Sequence, residues 1–280
     1  MMLKLRSDTV LLDGANEPDL QHACVAGGTA IAYTKRSPDK DTENEDTVAV
    51  IPYGPQAAVL VVADGAGGLP AGKRASYTAV TTLIESLQIA TRETMLLRTA
   101  ILDGIEAANA AVQELANGSA TTMTVITLEG LCARAYQIGD SEAIIVGQRG
   151  AMKFQTTAHS PTGFAVEAGF LDQRAALHHA ERHLVSNFLG TSEMRIDVGA
   201  LVELKPRDTI LLASDGLMDN VHIDEIIELI RKGPLNLALD LATELAKSRM
   251  AGTNPSQPSK PDDLSVILFR KNYQRSRHGG

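Results

Sequence analysis

The chain has 280 residues, 44% of them hydrophobic, and a formal net charge of −8 at pH 7. This is enough apolar material for a substantial core, and we expect residues 1–280 to form a single domain. An acidic chain lacks the basic surface that general nucleic-acid binding needs. No apolar run reaches the roughly 18 residues that cross a bilayer, and the N-terminus lacks a secretory leader. The sequence therefore predicts a cytoplasmic protein without membrane contact, and it leaves the oligomeric state open.

The first half of the chain has the pattern of strands followed by a pair of helices. After a polar, irregular N-terminal segment, strand patterns cover residues 22–33, 46–52 and 58–63. Apolar residues then recur at helical spacing over residues 71–90 and 92–116. This spacing predicts two amphipathic helices that pack antiparallel to each other.

The second half returns to strands and then alternates less regularly. Helical patterns cover residues 223–231 and 235–250, and segment 159–192, rich in Ala and His, is predicted to form a flap of loops and short helices. Because strands and helices do not alternate strictly, the pattern predicts the α+β class, with helices packed outside antiparallel sheets. The predicted strands of this half are 121–128, 131–138, 142–146, 152–156, 200–204, 209–213 and 264–269.

Two aspartates stand out because each follows a strongly apolar strand and precedes a glycine. Asp64 follows residues 58–63, and Asp215 follows residues 210–214. A buried strand that ends in this way presents a carboxylate on a rigid element, and the glycine lets the backbone turn away. Taken alone, each aspartate could equally be a turn residue. Other acidic residues predicted at strand ends and turns are Glu45, Asp46, Asp140, Asp219, Asp262 and Asp263.

Clustered carboxylates repel one another when ionised, so a fold that gathers several usually binds divalent cations there. A ligand set made only of oxygen atoms favours Mg²⁺ or Mn²⁺ over Zn²⁺.

Glu45 and Asp46 could instead be solvent-exposed residues at the start of a strand. A zinc site made of histidines is the other alternative, which we do not favour because histidines in a loop-and-helix segment need no ligand role. Those histidines are His159, His178, His179 and His183.

Several short motifs also follow one another in a characteristic order. They are Asn44-Glu45-Asp46, Asp64-Gly65-Ala66-Gly67-Gly68, Gly139-Asp140-Ser141, Asn187-Phe188-Leu189-Gly190, Ser214-Asp215-Gly216-Leu217-Met218-Asp219 and Asp262-Asp263-Leu264-Ser265-Val266. From about residue 27 to residue 270, the chain resembles the metal-dependent serine/threonine protein phosphatases of type 2C, of the bacterial, single-domain kind. The resemblance implies a four-layer αββα sandwich, in which two antiparallel sheets are flanked by pairs of antiparallel helices.

The resemblance also implies a metal site with two, or with a weaker site three, Mn²⁺ or Mg²⁺ ions. Asp64 would bridge two ions, and the Gly65 carbonyl would bind one of them. Asp215 and Asp262 would hold the other ion, and Asp263 beside it would be a turn or capping residue. Asp140, together with Asp215 and Asp219, would form this weaker third site. The implied ligand set is Asp64, Gly65, Asp215, Asp262, Asp140 and Asp219.

The implied activity is hydrolysis of phosphoserine and phosphothreonine in a phosphorylated protein. A water that bridges the two metal ions would attack the phosphorus directly, without a phosphoenzyme. Glu45 and Asp46 would orient the waters, which makes Asp64, Asp46 and Glu45 the expected catalytic residues. Two alternatives remain open: a pseudo-phosphatase that retains the fold and the metals as a binding module, and a hydrolase of small phosphomonoesters.

The sequence departs from the family pattern where phosphate is usually held. The arginine four residues before Glu45 is replaced by Asp41, which would repel phosphate. Lys40 is the nearest cation and is the candidate phosphate-binding residue, although its ammonium is a point charge rather than a two-pronged donor. Ala66 stands where many relatives have a histidine that protonates the leaving oxygen.

Overall fold

Two antiparallel sheets stacked face to face form the centre of the molecule. The structure is a computed structural model that describes residues 8–66, 70–116 and 118–272. The last two glycines of the motif that begins at Asp64 lie outside the described residues.

Fifteen strands and seven helices occur in the described part of the chain. The strands are β1 (Val10–Asp13), β2 (Asp19–Val25), β3 (Gly28–Lys35), β4 (Thr47–Pro52), β5 (Ala57–Ala63), β6 (Gly65–Ala66), β7 (Ala120–Thr121), β8 (Met123–Glu129), β9 (Cys132–Ile138), β10 (Glu142–Val146), β11 (Met152–Gln155), β12 (Asp197–Val198), β13 (Val202–Glu203), β14 (Thr209–Ala213) and β15 (Leu264–Lys271). The helices are α1 (Pro70–Arg92), α2 (Leu97–Gln113), α3 (Pro161–Glu167), α4 (Gln173–Ala176), α5 (Asp215–Met218), α6 (Ile223–Ile230) and α7 (Leu235–Met250).

The layers follow the predicted αββα order. One sheet runs β1-β4-β5-β8-β9-β12, with β13 also paired to β9, and the other runs β11-β10-β14-β15-β3-β2. Helices α1 and α2 pack on the first sheet, and α5, α6 and α7 pack on the second. On β5, Val61 faces the helices while its neighbour Leu60 faces the other sheet. Strand β5 is therefore apolar on both faces, and the predicted fold class is confirmed.

Three local predictions were wrong. Residues 22–33 form a hairpin rather than one strand, because the backbone turns at Ala26 and Gly27, both at positive φ. The apolar residues on both sides of this turn make the two strands read as one. The N-terminal segment contains β1, and the turn after β14 is the short helix α5. No helix of the described residues is both long and apolar enough to cross a membrane.

Strand pairing brings the predicted acidic residues to one edge of the sandwich. Thr47 pairs with Ala63, so the residues just outside that pair are Asp46 and Asp64. In the second sheet, Ala213 pairs with both Glu142 and Val266, and it lies two residues before Asp215. Antiparallel neighbours begin and end at the same edge. Within each sheet the register therefore brings these residues to one edge, and the hydrogen bond from Ser214 to Asp46 joins the two edges.

Candidate active site

The Asp64 turn is held by two threonines of the neighbouring strand region. The Asp64 N–H donates to Thr122 Oγ1 at 3.0 Å, and its carbonyl accepts from the Thr122 N–H and from Thr121 Oγ1, both at 2.8 Å. Thr122 Oγ1 also lies 2.8 Å from Ser141 Oγ. These contacts tie the Asp64 turn to the turn that carries Asp140.

The backbone after Asp64 packs directly against the first turns of α1. A Cβ atom on Gly65 would overlap the carbonyl of Gly72, and a Cβ atom on Gly72 would overlap Glu45 Oε1. Ser76, one turn further along α1, donates from Oγ to the Glu45 carbonyl at 2.6 Å. Glycine at both positions lets the helix approach closely enough to fix the backbone on both sides of the site.

The predicted pair Asp262 and Asp263 divides into two different environments. Asp263 is 3% exposed, and its carboxylate accepts from the Ser37 and Glu45 N–H groups, each at 2.8 Å, and from Lys40 Nζ at 2.7 Å. These bonds leave Asp263 a structural role that connects β15 to the segment before β4. Asp262 is the member of the pair whose carboxylate faces the other acidic residues.

Asp46 is fully buried, and only one of its two carboxylate oxygens accepts a hydrogen bond from the described residues. Its N–H donates to Asn44 Oδ1 at 2.9 Å, and its Oδ2 accepts from Ser214 Oγ at 2.9 Å. Its Oδ1 has no hydrogen-bond partner among the described residues. Burial, and then the negative charge of Asp263, raise the pKa of Asp46 well above its ordinary value. A buried, unpartnered carboxylate oxygen is costly unless something electropositive meets it.

The other aspartates repel one another in the same way. Burial raises the pKa of Asp64, and the charges of Asp46 and Asp215 raise it further. Burial and Asp215 likewise raise the pKa of Asp140 well above its ordinary value. The pKa of Asp219 is raised to about 6 and that of Asp262 to about 7, in both cases by burial first and then by the Asp215 charge.

A lysine that the sequence reasoning missed lies inside this cluster. Lys260 Nζ contacts Asp215 Oδ2 and lies 3.0 Å from Asp219 Oδ2 and 3.3 Å from Asp262 Oδ2. Burial alone would lower the pKa of Lys260, but the three carboxylates raise it above its ordinary value. In the sequence, this residue stands in a Pro- and Ser-rich stretch that reads as a linker, and only its place two residues before Asp262 hints at a role.

The donor set fits hard divalent cations. No three Asp, Glu, His or Cys side chains of the described residues converge on one point as in an assembled metal site. Instead, the carboxylates of Asp215, Asp219 and Asp262 surround the Lys260 ammonium group, which shows that the cluster accommodates a cation. Asp46 Oδ1 and Asp215 Oδ1 are buried without a hydrogen-bond partner among those residues. Oxygen atoms of this kind, desolvated and negatively charged, are ligands suited to Mg²⁺ or Mn²⁺.

A cleft of about 250 Å³ opens beside the cluster, between the predicted flap segment and α5 with the start of α6. The cleft is lined by Asp140, Asp215 and Asp219 of the cluster and by Ser160 and Arg182 of the flap segment. The flap segment contains the short helices α3 and α4. A cleft of this size next to the carboxylates can admit a phosphorylated side chain.

The histidine that precedes α3 joins the flap to the acidic cluster. His159 is buried, and its Nδ1 accepts from the Gly139 N–H at 3.2 Å and from Asn187 Nδ2 at 2.8 Å. Its Nε2 therefore carries the hydrogen and donates to Asp197 Oδ2 at 3.0 Å. Both ring nitrogens are used, so His159 fixes the turn before Asp140. The four histidines considered for zinc do not form a metal-binding group among the described residues.

The candidate residues fall into two groups, the carboxylates that form the cluster and the residues that lie beside it. The structure gathers the carboxylates of Asp64, Asp46, Asp140, Asp215, Asp219 and Asp262. Gly65 lies in β6, which pairs with β7 beside this cluster, and Glu45 lies next to the start of α1. Lys40 is at the same edge, with Nζ 2.5 Å from Glu45 Oε2.

The chain is similar in sequence to known proteins. The profile of the family described as "Protein phosphatase 2C" matches residues 36–238. A curated relative, the serine/threonine phosphatase stp of Listeria innocua, is 26% identical over 241 residues, which is 83% of this chain and 92% of the relative.

Solved structures show the same fold. The PPM Ser-Thr phosphatase MsPP of Mycobacterium smegmatis, in complex with cacodylate, superposes with a TM-score of 0.72 at 25% identity, over 87% of this chain and 98% of the other. The catalytic domain of the serine/threonine protein phosphatase PstP, in complex with 2 manganese ions, has a TM-score of 0.65 at 24% identity and covers 91% of this chain and 99% of its own.

Proposed function

The chain belongs to the protein phosphatase 2C family, and from this premise we propose that it is a protein phosphatase that uses Mn²⁺ or Mg²⁺ to hydrolyse phosphoserine and phosphothreonine. The observation that carries the proposal is the set of buried carboxylates at one sheet edge, beside an open cleft; Glu45, Asp46 and Asp215 each have a buried oxygen with no hydrogen-bond partner among the described residues. The manganese ions of one solved relative support the choice of metal.

The aspartates of the cluster would hold the metal ions. Asp64 would bind on one side, Asp215 and Asp262 on the other, and Asp140 and Asp219 would complete a weaker site. Bound divalent ions would supply Lewis-acid chemistry, because they neutralise phosphoryl oxygens and lower the pKa of water.

Asp46 and Glu45 would act on water rather than on phosphate. Asp46 Oδ1 is the unpartnered atom that would accept a hydrogen bond from the attacking water. Ser214 fixes the other oxygen of the same carboxylate, so the side chain is already oriented. Glu45 Oε1 is also buried without a hydrogen-bond partner among the described residues, while Lys40 holds Glu45 Oε2.

Lys40 remains the proposed phosphate contact. An ammonium group has three N–H donors, and two of them are directed to Glu45 Oε2 at 2.5 Å and to Asp263 Oδ2 at 2.7 Å. The two carboxylates raise the pKa of Lys40 above its ordinary value despite its partial burial, so the ammonium stays charged. The third N–H would donate to a phosphoryl oxygen. Asp41 beside it is exposed and reduces the local positive charge.

Removing divalent metal should abolish turnover of a phosphothreonine peptide. Protein stripped with a chelator is expected to be inactive, and added Mn²⁺ should restore release of inorganic phosphate from the peptide, because the carboxylates alone cannot activate water. An aryl phosphate is assayed in parallel. Restored turnover of the aryl phosphate without turnover of the peptide would contradict a protein substrate. Absence of turnover of both by metal-loaded protein would indicate a non-enzymatic binding module.

Replacing Asp41 with arginine should strengthen substrate binding. The change removes a negative charge near the proposed phosphate position and adds a guanidinium that can hold phosphate through two bonds. We expect KM for the phosphopeptide to fall by about five- to tenfold, with little change in kcat. Asp39→Arg, an equal charge change at another exposed position two residues away, is the matched control. Equal KM values for the two variants would show that phosphate is held elsewhere.

A further inference from the structure

One side of the acidic cluster already contains a cation that belongs to the chain. Lys260 Nζ contacts Asp215, Asp219 and Asp262, and its side chain is only 21% exposed. Asp64 and Asp46 have no comparable partner, since Lys260 is not in contact with either and Asp46 Oδ1 is unpartnered among the described residues. The lysine therefore neutralises one side of the cluster and leaves the other side open.

Both the N–H and the carbonyl group of the Lys260 backbone are held by hydrogen bonds. Asn220, which is fully buried, accepts from the Lys260 N–H at 2.7 Å and donates from Nδ2 to the Lys260 carbonyl at 2.8 Å. The same Nδ2 donates to the Gly216 carbonyl at 3.0 Å. Arg182 in the flap donates to the carbonyl of Ser259 at 2.8 Å. These bonds fix the backbone from which the Lys260 side chain extends into the cluster.

The charge of Lys260 affects how strongly the surrounding carboxylates can bind a metal ion. The three carboxylates around Lys260 include two of the proposed ligands of the second ion and one of the weaker site. An ammonium in contact with them competes for the same oxygen atoms as a divalent ion. At separations near 4 Å, one unit charge changes such an equilibrium by at least about tenfold even with strong dielectric screening.

We propose that Lys260 is the resident cation on the Asp215–Asp219 side of the cluster, and that a divalent ion can bind there only by displacing it. This inference rests on the proposed metal dependence. The Asp64–Asp46 side then binds metal first, and the Asp215–Asp219 side binds it only at higher concentration. Without metal, the lysine keeps the repelling carboxylates together.

Metal binding and stability of chelator-stripped protein test the proposal without an activity assay. Lys260→Met removes the charge at similar length, and we expect Mn²⁺ titrations, followed by the loss of the free-ion magnetic resonance signal, to show the weakest site tightened about tenfold or more. The Tm of the metal-free variant should fall, and Mn²⁺ should restore it. Lys260→Arg retains the charge and should titrate like the wild type.

Lys153→Met is the matched control, because Lys153 has a similar exposure and pairs with a buried aspartate, Asp208, at the far end of β14. Its Mn²⁺ titration should match the wild type. A wild-type measurement adds a test that needs no variant to fold: acylation of Lys260, followed by mass spectrometry, should be slow without metal and faster with saturating Mn²⁺, whereas Lys153 should not change.

Two results would overturn this inference alone: equal Mn²⁺ titrations of wild type and Lys260→Met, or acylation of Lys260 that does not respond to Mn²⁺ in a protein that binds the ion. Absence of Mn²⁺ binding in the wild type and in every variant would instead overturn the proposed function, and the competition with it.

Discussion

Asp64→Asn is expected to lower kcat/KM for a phosphothreonine peptide by about a thousandfold, which corresponds to roughly 4 kcal/mol of lost transition-state stabilisation. The amide has the shape of the carboxylate but lacks its charge, and the proposed role of Asp64 is to hold metal from a position near Asp46 and Asp215. The Asp64 backbone bonds to Thr121 and Thr122 do not involve the side chain. The fold should therefore survive the substitution.

Stability separates loss of metal binding from loss of structure. Because the neighbouring carboxylates repel Asp64, the metal-free Asp64→Asn protein should have a Tm equal to or above that of the wild type. Asp240→Asn, an identical change at an exposed position on α7, should leave both activity and Tm unchanged. Wild-type activity in Asp64→Asn would remove the basis of the proposed metal site, and a large fall in Tm would assign the residue a structural role instead.

The central layers were predictable because long apolar runs dominate them. Strands such as β5 and β14 are buried on both faces, between the other sheet and the helices, so their residues are apolar except for Thr209 at the start of β14. An apolar run also explains why the turn between β2 and β3 was not predicted. Ala26 and Gly27 form this turn within a stretch that reads as one continuous strand. Strand β12 has two residues and carries too little pattern to be read from sequence, whereas β13 lies within the predicted strand 200–204.

In the candidate site, too, some residues could be predicted from the sequence and others could not. Asp64 and Asp215 could be selected from the sequence because each directly follows a recognisable strand, and strand ends meet at a sheet edge. Lys260 could not, because its position depends on hydrogen bonds to Asn220, which lies 40 residues earlier in the turn between α5 and α6. The structural role of Asp263 depends likewise on the distant N–H groups of Ser37 and Glu45. Contacts between segments far apart in sequence leave no local pattern.

Gly216→Ala is expected to destabilise the protein by about 3 kcal/mol, near the upper end of the usual cost of overpacking. A Cβ atom on Gly216 would overlap the carbonyl of Asp263 and lie 3.1 Å from Leu264 Cα, and backbone atoms cannot move aside as a flexible side chain can. For a chain of this length the change should lower Tm by about 5–10 °C, measured by thermal unfolding.

The same substitution should weaken the metal site, because Gly216 lies between the Asp215 turn and the segment that carries Asp262 and Asp263. Any separation of α5 from β15 moves Asp215 away from Asp262, so affinity for Mn²⁺ should fall together with Tm. Gly147→Ala is the matched control: its backbone has no positive φ, and its added Cβ would have no neighbour closer than 3.6 Å. If both alanine variants lost the same stability, the cost would come from glycine replacement in general rather than from this contact.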